Sequence, residues 1–185
     1  MGKTLSKTVV IVFLVLLVLG FTVPLINFGS DKQQAKPSEP RLCQTDSECF
    51  LACDDQPLAV LCSQNLCQQN TCNDLSPFPY KETPFTFQLH VRIDAQEILL
   101  ANRSTSKDVF VKFTDSNVAV YALEFSLAQV LQKASIGLSS CLAMDGKQYC
   151  PKDDKEIGIK VNGNSSYLYG DYIPQEGDKI EISYG

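Results

Sequence analysis

The sequence predicts an α+β protein in three parts: an N-terminal transmembrane helix, a small disulfide-rich module, and a mixed sheet that carries one helix. Three observations support this prediction. An uncharged, mostly apolar run covers residues 8–28, six cysteines lie within residues 43–72, and alternating apolar residues flank a capped helix in residues 85–185. These patterns are typical of a membrane span, a small cross-linked fold and a half-buried sheet.

The run from Thr8 to Phe28 is long enough to cross a bilayer as a helix, at about 1.5 Å of rise per residue. Lys3 and Lys7 are the only charges before it, which favours a cytoplasmic N-terminus. We therefore expect a single-pass protein of the cell membrane whose C-terminal domain is extracytoplasmic. The alternative is a cleaved signal peptide with residues 9–19 as its apolar core, and the rest is exported in that case too.

The exported part of the chain is acidic. Without Lys3 and Lys7, the 16 Lys and Arg fall to 14 against 21 Asp and Glu, a net charge of −7. An acidic surface is a poor binder of nucleic acid. The sequence also lacks a phosphate-binding glycine loop and a G-x-S-x-G elbow. We expect no nucleic-acid partner, no cofactor and no catalytic residue.

Composition divides the chain into five segments. Residues 1–28 are the membrane anchor, and residues 29–41 are a polar linker with two prolines. Residues 42–73 hold the six cysteines, and residues 74–84 form a second, proline-rich linker. Residues 85–185 are of the size expected for one compact domain.

The cysteine-rich module is predicted to be held by disulfides. About thirty residues bury too little apolar surface to fold alone, and exported thiols oxidise. Fifteen pairings are possible, and the sequence does not choose among them. A structural zinc site is the alternative, but the module has no C-x2-C pair and no histidine. The cysteines in question are Cys43, Cys49, Cys53, Cys62, Cys67 and Cys72.

Strand and helix signals alternate in the last hundred residues. Phe85–Ile93 alternates apolar and polar side chains, as a half-buried strand does. Ser126 and Gln129 are spaced as a capping box, which predicts a helix start, and Gly137 is expected to stop that helix. Further strands are expected at residues 108–113, 117–121, 157–161 and 180–184.

Cys141 and Cys150 enclose the most specific local motif, CLAMDGKQYC. Asp145-Gly146 is a preferred two-residue type I′ turn, so the two cysteines should face each other across a hairpin. Their pair is then a non-hydrogen-bonded one, with Cα atoms about 4.5 Å apart, which a disulfide can bridge. We expect a bridge between them.

The run from Ile159 to Gly185, which contains VNG and YIPQEGDKIEISYG, is similar to the end of β-grasp (ubiquitin-like) domains. More narrowly, residues 85–185 resemble the ectodomains of small uncharacterised archaeal membrane-anchored proteins. The resemblance implies a β-grasp-like mixed sheet with one helix. Some of those proteins carry His-x-His pairs that suggest metal binding. This chain departs from that pattern, because His90 is its only histidine, and no metal site is expected.

Two further motifs carry weaker implications. Asn102 and Asn164 stand in N-x-S sequons and are candidates for glycosylation in an exported chain. The segment CQTDSEC, from Cys43 to Cys49, loosely resembles the opening of knottin-like and protease-inhibitor-like frameworks.

Three functions are compatible with these features. The first is a non-enzymatic, membrane-tethered binding or structural protein whose partner is another envelope protein or a small ligand. The second is an exported thiol–disulfide exchange protein that uses Cys141 and Cys150 or a pair from the module. The third is a protease-inhibitor-like module. The sequence leaves open the ligand, the disulfide connectivity, the cleavage of the N-terminal segment and the oligomeric state.

Overall fold

The computed structural model describes residues 39–103 and 105–185. The predicted membrane span, residues 8–28, lies outside the described residues. Within the described part of the chain, no helix is long and apolar enough to cross a membrane. Residues Glu39–Gly185 form one compact unit, in which the cysteine-rich module is hydrogen-bonded to the part that follows it.

The module consists of two short hairpins and one turn of 3-10 helix. Strand β1 (Leu51–Cys53) pairs with β2 (Gln56–Leu58), and β3 (Cys62–Ser63) pairs with β4 (Leu66–Cys67), both antiparallel. The 3-10 turn is Asp46–Glu48. Strands this short do not form an independently stable sheet.

Both hairpins of the module close through two residues in the left-handed conformation. Asp54 and Asp55 have φ values of 48° and 61°, and Gln64 and Asn65 have values of 53° and 61°. Two successive positive φ angles define a type I′ turn, whose twist matches that of the paired strands. The exposed Asp54-Asp55 pair therefore has a structural role in a turn.

Disulfides hold the module together, as predicted. The first cysteine pairs with the fourth, the second with the fifth and the third with the sixth, and each bridge joins residues 18 or 19 positions apart. The bridges are Cys43–Cys62, Cys49–Cys67 and Cys53–Cys72.

The main sheet has seven strands. They are β5 (Phe85–Ile93), β6 (Gln96–Glu97), β7 (Val111–Thr114), β8 (Asn117–Val120), β12 (Ile157–Val161), β13 (Asn164–Ser165) and β14 (Lys179–Tyr184). In the order β13-β12-β14-β5-β8-β7 each strand is hydrogen-bonded to the next, and β6 pairs with the end of β5.

The first and last strands of this sheet lie parallel at its centre. Strand β14 pairs with β5 from Lys179 opposite Gln88 to Tyr184 opposite Ile93, and the other strand pairs of the sheet are antiparallel. The predicted alternation of β5 is confirmed, since every second side chain from Phe87 onward is buried. The coarse α+β prediction, with a mixed sheet and one helix, therefore holds for the described residues.

The single α-helix among the described residues, α1 (Leu127–Gln132), begins at the predicted capping box. Ser126 Oγ accepts a hydrogen bond from Gln129 N at 3.3 Å, and Gln129 Oε1 accepts one from Ser126 N at 2.8 Å. One face of the helix turns into the hydrophobic core. The buried side chains on that face are Leu127, Val130 and Leu131, and Ala134 is buried just beyond the end of the helix.

The predicted helix stop at Gly137 is wrong. The helix already ends at Gln132, and Ser135 adopts the left-handed conformation, with a φ of 56°. Gly137 lies instead in the middle of β9 (Ile136–Leu138). A Cβ atom there would approach Ala143 Cβ to 3.3 Å, so the glycine serves close packing between strands.

The predicted Cys141–Cys150 hairpin is confirmed. Strand β10 (Leu142–Met144) pairs with β11 (Lys147–Tyr149) in the expected register, and β9 pairs with the other edge of β10. The turn residues Asp145 and Gly146 have φ values of 52° and 73°, as a type I′ turn requires. A disulfide joins the two cysteines, whose Cα atoms are 4.3 Å apart.

Candidate functional site

The cysteine-rich module and the sheet meet at three buried charged side chains, Asp46, Asp108 and Lys133, here called the junction cluster. Asp46 belongs to the 3-10 turn of the module, Asp108 precedes β7, and Lys133 follows α1 directly. Their side chains are 0, 6 and 7% exposed, respectively. Leu61 of the module is buried in the core of the sheet beside this cluster of charges.

Asp46 binds the backbone of both parts. Its Oδ1 accepts hydrogen bonds from Cys62 N at 2.9 Å and from Lys133 Nζ at 2.5 Å. Its Oδ2 accepts from Val109 N at 2.9 Å and from Phe110 N at 3.2 Å. A buried carboxylate needs such partners, because an unpaired charge in the interior is strongly unfavourable.

Lys133 uses its three donor positions on three acceptors. Besides Asp46 Oδ1, its Nζ donates to Cys62 O at 2.8 Å and to Asp108 Oδ1 at 3.3 Å. Asp108 Oδ1 also accepts from Asp46 N at 3.3 Å. The pKa of Asp108 is raised, and burial is the main cause. The Lys133 ammonium acts in the opposite direction, and the Asp46 carboxylate adds to the increase.

The junction cluster is closed to ligands. Two carboxylates share one ammonium, and the hydrogen bonds of Asp46 and Lys133 run to residues of the chain itself. The contacts that link the module to the sheet join residues 62 to 87 positions apart in the sequence. The cluster therefore fixes the module against the sheet, and removing one partner would leave a buried charge uncompensated.

The sulfur atoms of Cys43, Cys49 and Cys62 lie within 4.8 Å of one another, a spacing that could hold a metal ion. They belong to two disulfides, Cys43–Cys62 and Cys49–Cys67. A metal binds the deprotonated thiolate, which a bridged sulfur does not offer. The proximity of these atoms is explained by the packing of two bridges.

A groove of about 710 Å³ runs along the module and is here called the module groove. Its walls are mostly apolar. Asp74 and Glu82 contribute acidic side chains, and no basic residue is among the described residues that line it. The apolar and aromatic residues lining it include Phe50, Pro57, Leu58, Leu75, Pro79, Tyr80 and Val109.

Two side chains define the surface of the module groove. Leu75 is 96% exposed and adds apolar surface to the groove. Tyr80 is held rigidly, since its ring meets Phe110 edge-on at 5.4 Å and stacks on Tyr121 at 5.5 Å. A rigid aromatic next to an exposed aliphatic side chain is typical of protein-binding surfaces.

A second groove, of about 660 Å³, lies beside the Cys141–Cys150 hairpin. Tyr167, Leu168 and Tyr169 line it and are exposed. Its floor requires Gly170, because a Cβ atom there would come within 2.9 Å of Leu138 O and of the Ala128 side chain. Ser139, Ser140 and Asp171 supply the polar part of its lining.

Asp178 organises the turn before β14. Its carboxylate accepts hydrogen bonds from Tyr172 Oη at 2.6 Å, Gln175 N at 2.8 Å and Asn162 Nδ2 at 2.8 Å. Burial alone would raise the pKa of Asp178, but these three hydrogen bonds lower it overall. Burial and the hydrogen bond to Asp178 raise the pKa of Tyr172 to about 12.

The other sequence-predicted site residues do not gather in one place. All eight cysteines are bridged. Asn102 lies exposed in the 3-10 turn Leu100–Arg103, and Ser104 of its sequon lies outside the described residues. Asn164 is exposed in β13. His90 Nδ1 lies 2.7 Å from Glu97 Oε1 at the surface.

The sequence analysis missed both the junction cluster and the module groove. Asp46 and Lys133 are 87 positions apart, and each resembles an ordinary surface charge when the sequence is taken alone. The one local signal was the position of Asp46 between two cysteines in the CQTDSEC segment. Comparison with protein-family models, curated proteins and solved structures finds no match to this chain.

Proposed function

We propose that this chain is a non-enzymatic, membrane-tethered extracytoplasmic protein that binds a segment of another envelope protein in the module groove. The observation that carries the proposal is the groove itself, with its exposed Leu75, its rigid Tyr80 and its acidic rim. The closed junction cluster supports a non-enzymatic function, because its charges are engaged within the protein.

The four disulfides support the extracytoplasmic part of this proposal. Disulfides persist in oxidising compartments and are rare in the cytoplasm. The predicted anchor, residues 8–28, supplies the tether in this proposal.

We also propose that the sheet is of the β-grasp-like kind, as the resemblance of residues 159–185 implies. Support comes from the parallel pairing of β5 with β14 at the centre of the sheet and from the position of α1 between these strands in the chain. The fold suits a binding protein, but it specifies no ligand by itself.

The chemistry of the module groove defines its partner. Apolar walls favour aliphatic or aromatic side chains, and the acidic Asp74 and Glu82 favour a segment with flanking lysines or arginines. The net charge of −7 outside the anchor attracts the same kind of partner. The occupant is therefore an apolar segment with basic flanks.

Two synthetic peptides test this proposal, one with a leucine- and phenylalanine-rich centre flanked by lysines and one with the same centre flanked by glutamates. The full chain is placed in zwitterionic lipid nanodiscs, and empty nanodiscs give the background. The lysine-flanked peptide should bind and the glutamate-flanked peptide should not. Leu75→Ser should weaken binding of the lysine-flanked peptide about tenfold, because it removes the apolar contact of one leucine side chain.

Leu99→Ser is the matched control, since Leu99 is also exposed but does not line the module groove. It should leave peptide binding unchanged. Equal binding of the two peptides, or equal effects of the two leucine substitutions, would contradict the proposal.

One observation favours thiol–disulfide exchange as a second function. Cys72 is exposed and lines the module groove, so its bridge with Cys53 is accessible to an incoming thiol. Treatment of the native protein with a mild dithiol, followed by iodoacetamide, distinguishes the two functions. Rapid, selective labelling of Cys53 and Cys72 favours exchange, whereas labelling only after unfolding favours a structural bridge.

A further inference from the structure

None of the four disulfides joins the cysteine-rich module to the sheet. Three lie within residues 43–72, and the fourth lies within residues 141–150. The disulfides therefore leave the two parts without a cross-link, and the closest side-chain contact between them is that of Asp46 and Lys133 in the junction cluster.

The Asp46–Lys133 pair brings an amine nitrogen into direct contact with a carboxyl group in the protein interior. Lys133 Nζ lies 2.5 Å from Asp46 Oδ1, and both side chains are shielded from solvent. Backbone N–H groups of Val109 and Phe110 hold the other oxygen, Oδ2. Such donors stabilise negative charge that develops on a carbonyl oxygen when a nucleophile attacks.

We propose that Lys133 and Asp46 condense to an intramolecular isopeptide bond that ties the module covalently to the sheet. Lys133 Nζ attacks Asp46 Cγ, a C–N bond forms, and the bond from Cγ to Oδ1 breaks. The ammonium and the carboxylate together contain the atoms of one amide and one water, so the reaction needs neither an oxidant nor another co-reactant.

Asp108 is the proton carrier for this condensation. Its Oδ1 lies 3.3 Å from Lys133 Nζ, so it can accept a proton from the ammonium, which frees the amine lone pair for attack. It passes that proton to the departing Oδ1 and, after the attack, carries a second proton from Nζ to the same oxygen. This oxygen leaves as water, and the third hydrogen stays on the amide nitrogen. Burial raises the pKa of Asp108, in keeping with a carboxyl group that holds a proton in transit.

The product keeps the contacts of Oδ2 but loses the bond from Cys62 N to Oδ1, because that oxygen leaves as water. Asp46 Oδ2 becomes the amide oxygen and still accepts from Val109 N and Phe110 N. The amide N–H takes over the bond from Nζ to Cys62 O. Because the site is buried, water for the reverse reaction has little access to the new bond.

The chain contains a matched pair that should stay ionic. Lys155 Nζ also lies 2.5 Å from a carboxylate oxygen, Asp94 Oδ1, but the two side chains are 46% and 55% exposed. Water hydrates both groups there, and the hydrogen bond described for this lysine is to Asp94. The comparison tests whether condensation needs burial and a second hydrogen-bonded carboxylate.

Mass spectrometry of the full chain after reduction, alkylation and trypsin digestion tests the proposal. Trypsin releases residues 42–81, which contain Asp46, and cleaves after Lys112, Lys133 and Lys147. With the isopeptide bond, cleavage at Lys133 fails. Residues 113–147 then appear joined to residues 42–81, at the summed mass of the two peptides less one water.

Lys133→Arg and Asp108→Asn provide the controls. The arginine variant keeps the positive charge and should yield only separate peptides, and the Asp108→Asn variant should lose most of the linked product. Lys155 should be cleaved normally in every sample. A wild-type digest in which residues 42–81 appear only as a linear peptide would overturn the proposal and leave a purely ionic cluster.

Discussion

The cysteine-rich module and the sheet are stabilised in opposite ways. The buried cluster particular to the module consists of four cysteines and Val60, with Leu51 and Leu58 packed against it. The sheet buries a continuous apolar core from β5 to β14 and contains no disulfide in its own strands. A small segment therefore depends on covalent cross-links, whereas a hundred-residue domain does not.

The largest expected effect comes from Asp46→Ala, which removes the contact between the two parts. The change leaves the Lys133 ammonium buried beside Asp108 and leaves three backbone N–H groups without their acceptor. We expect a loss of about 3–5 kcal/mol in the free energy of unfolding, as for other broken buried ion pairs. Urea unfolding followed by circular dichroism measures this loss.

Asp171→Ala is the control for that measurement, because Asp171 is an exposed carboxylate. It should change the free energy of unfolding by no more than about 0.5 kcal/mol. If Asp46→Ala is equally mild, the junction cluster does not hold the module against the sheet.

The next largest effect is expected from the double substitution of Cys49 and Cys67 by alanine. This bridge joins residues 18 positions apart. Its loss should lower the free energy of unfolding by about 3 kcal/mol, because the unfolded chain gains conformational entropy. Limited proteolysis should then cut within residues 43–72 first and leave the sheet intact. Cleavage that begins in the sheet would contradict the comparison.

The Cys141–Cys150 bridge should matter less. Its separation is only 9 residues, and the hairpin that it closes already has a type I′ turn and a neighbouring strand. Replacing both cysteines by alanine should lower the free energy of unfolding by about 2.5 kcal/mol at most. The module should stay protected from protease in this variant, which distinguishes the two cross-linked regions.

The smallest effect is the pH dependence that Asp178 gives to the sheet. Its hydrogen bonds lower its pKa below 3.8 in the folded state, so its contribution to stability is complete above that value. The contribution is lost as the pH falls through the folded-state pKa. Asp178→Asn should lower the free energy of unfolding by about 1–2 kcal/mol at neutral pH. The stability of this variant should also fall less steeply than that of the wild type as the pH becomes acidic.

A matched acid titration of wild type and Asp178→Asn by thermal unfolding checks this prediction. The difference in melting temperature between the two proteins should shrink as the pH falls below about 3.8. A difference that stays constant or grows toward acid pH would show that the ionised carboxylate of Asp178 is not the stabilising form.

Local patterns in the sequence predicted much of the sheet. Strand β5, the capping box at Ser126 and the Asp145-Gly146 hairpin depend on neighbouring residues, and all three are present. The helix stop at Gly137 was wrong because Ser135 accepts the left-handed conformation that a glycine usually takes.

The junction could not be predicted in this way. The pairing of Asp46 with Lys133 depends on how the module packs against the sheet, and residues 87 positions apart show no joint pattern in one sequence. The three bridges of the module were equally hidden among fifteen possible pairings. The module groove arises from the same packing, since Phe50 and Val109 come from different parts of the chain.

Hydrogen exchange of the full chain with and without reductant tests the comparison most directly. With reductant, backbone amides of the module hairpins, Leu51–Leu58 and Cys62–Cys67, should lose their protection. The amides of β5 and β14 at the centre of the sheet should keep theirs, because an apolar core and not a disulfide holds them. Simultaneous loss of protection in β5, β14 and the module would contradict this account.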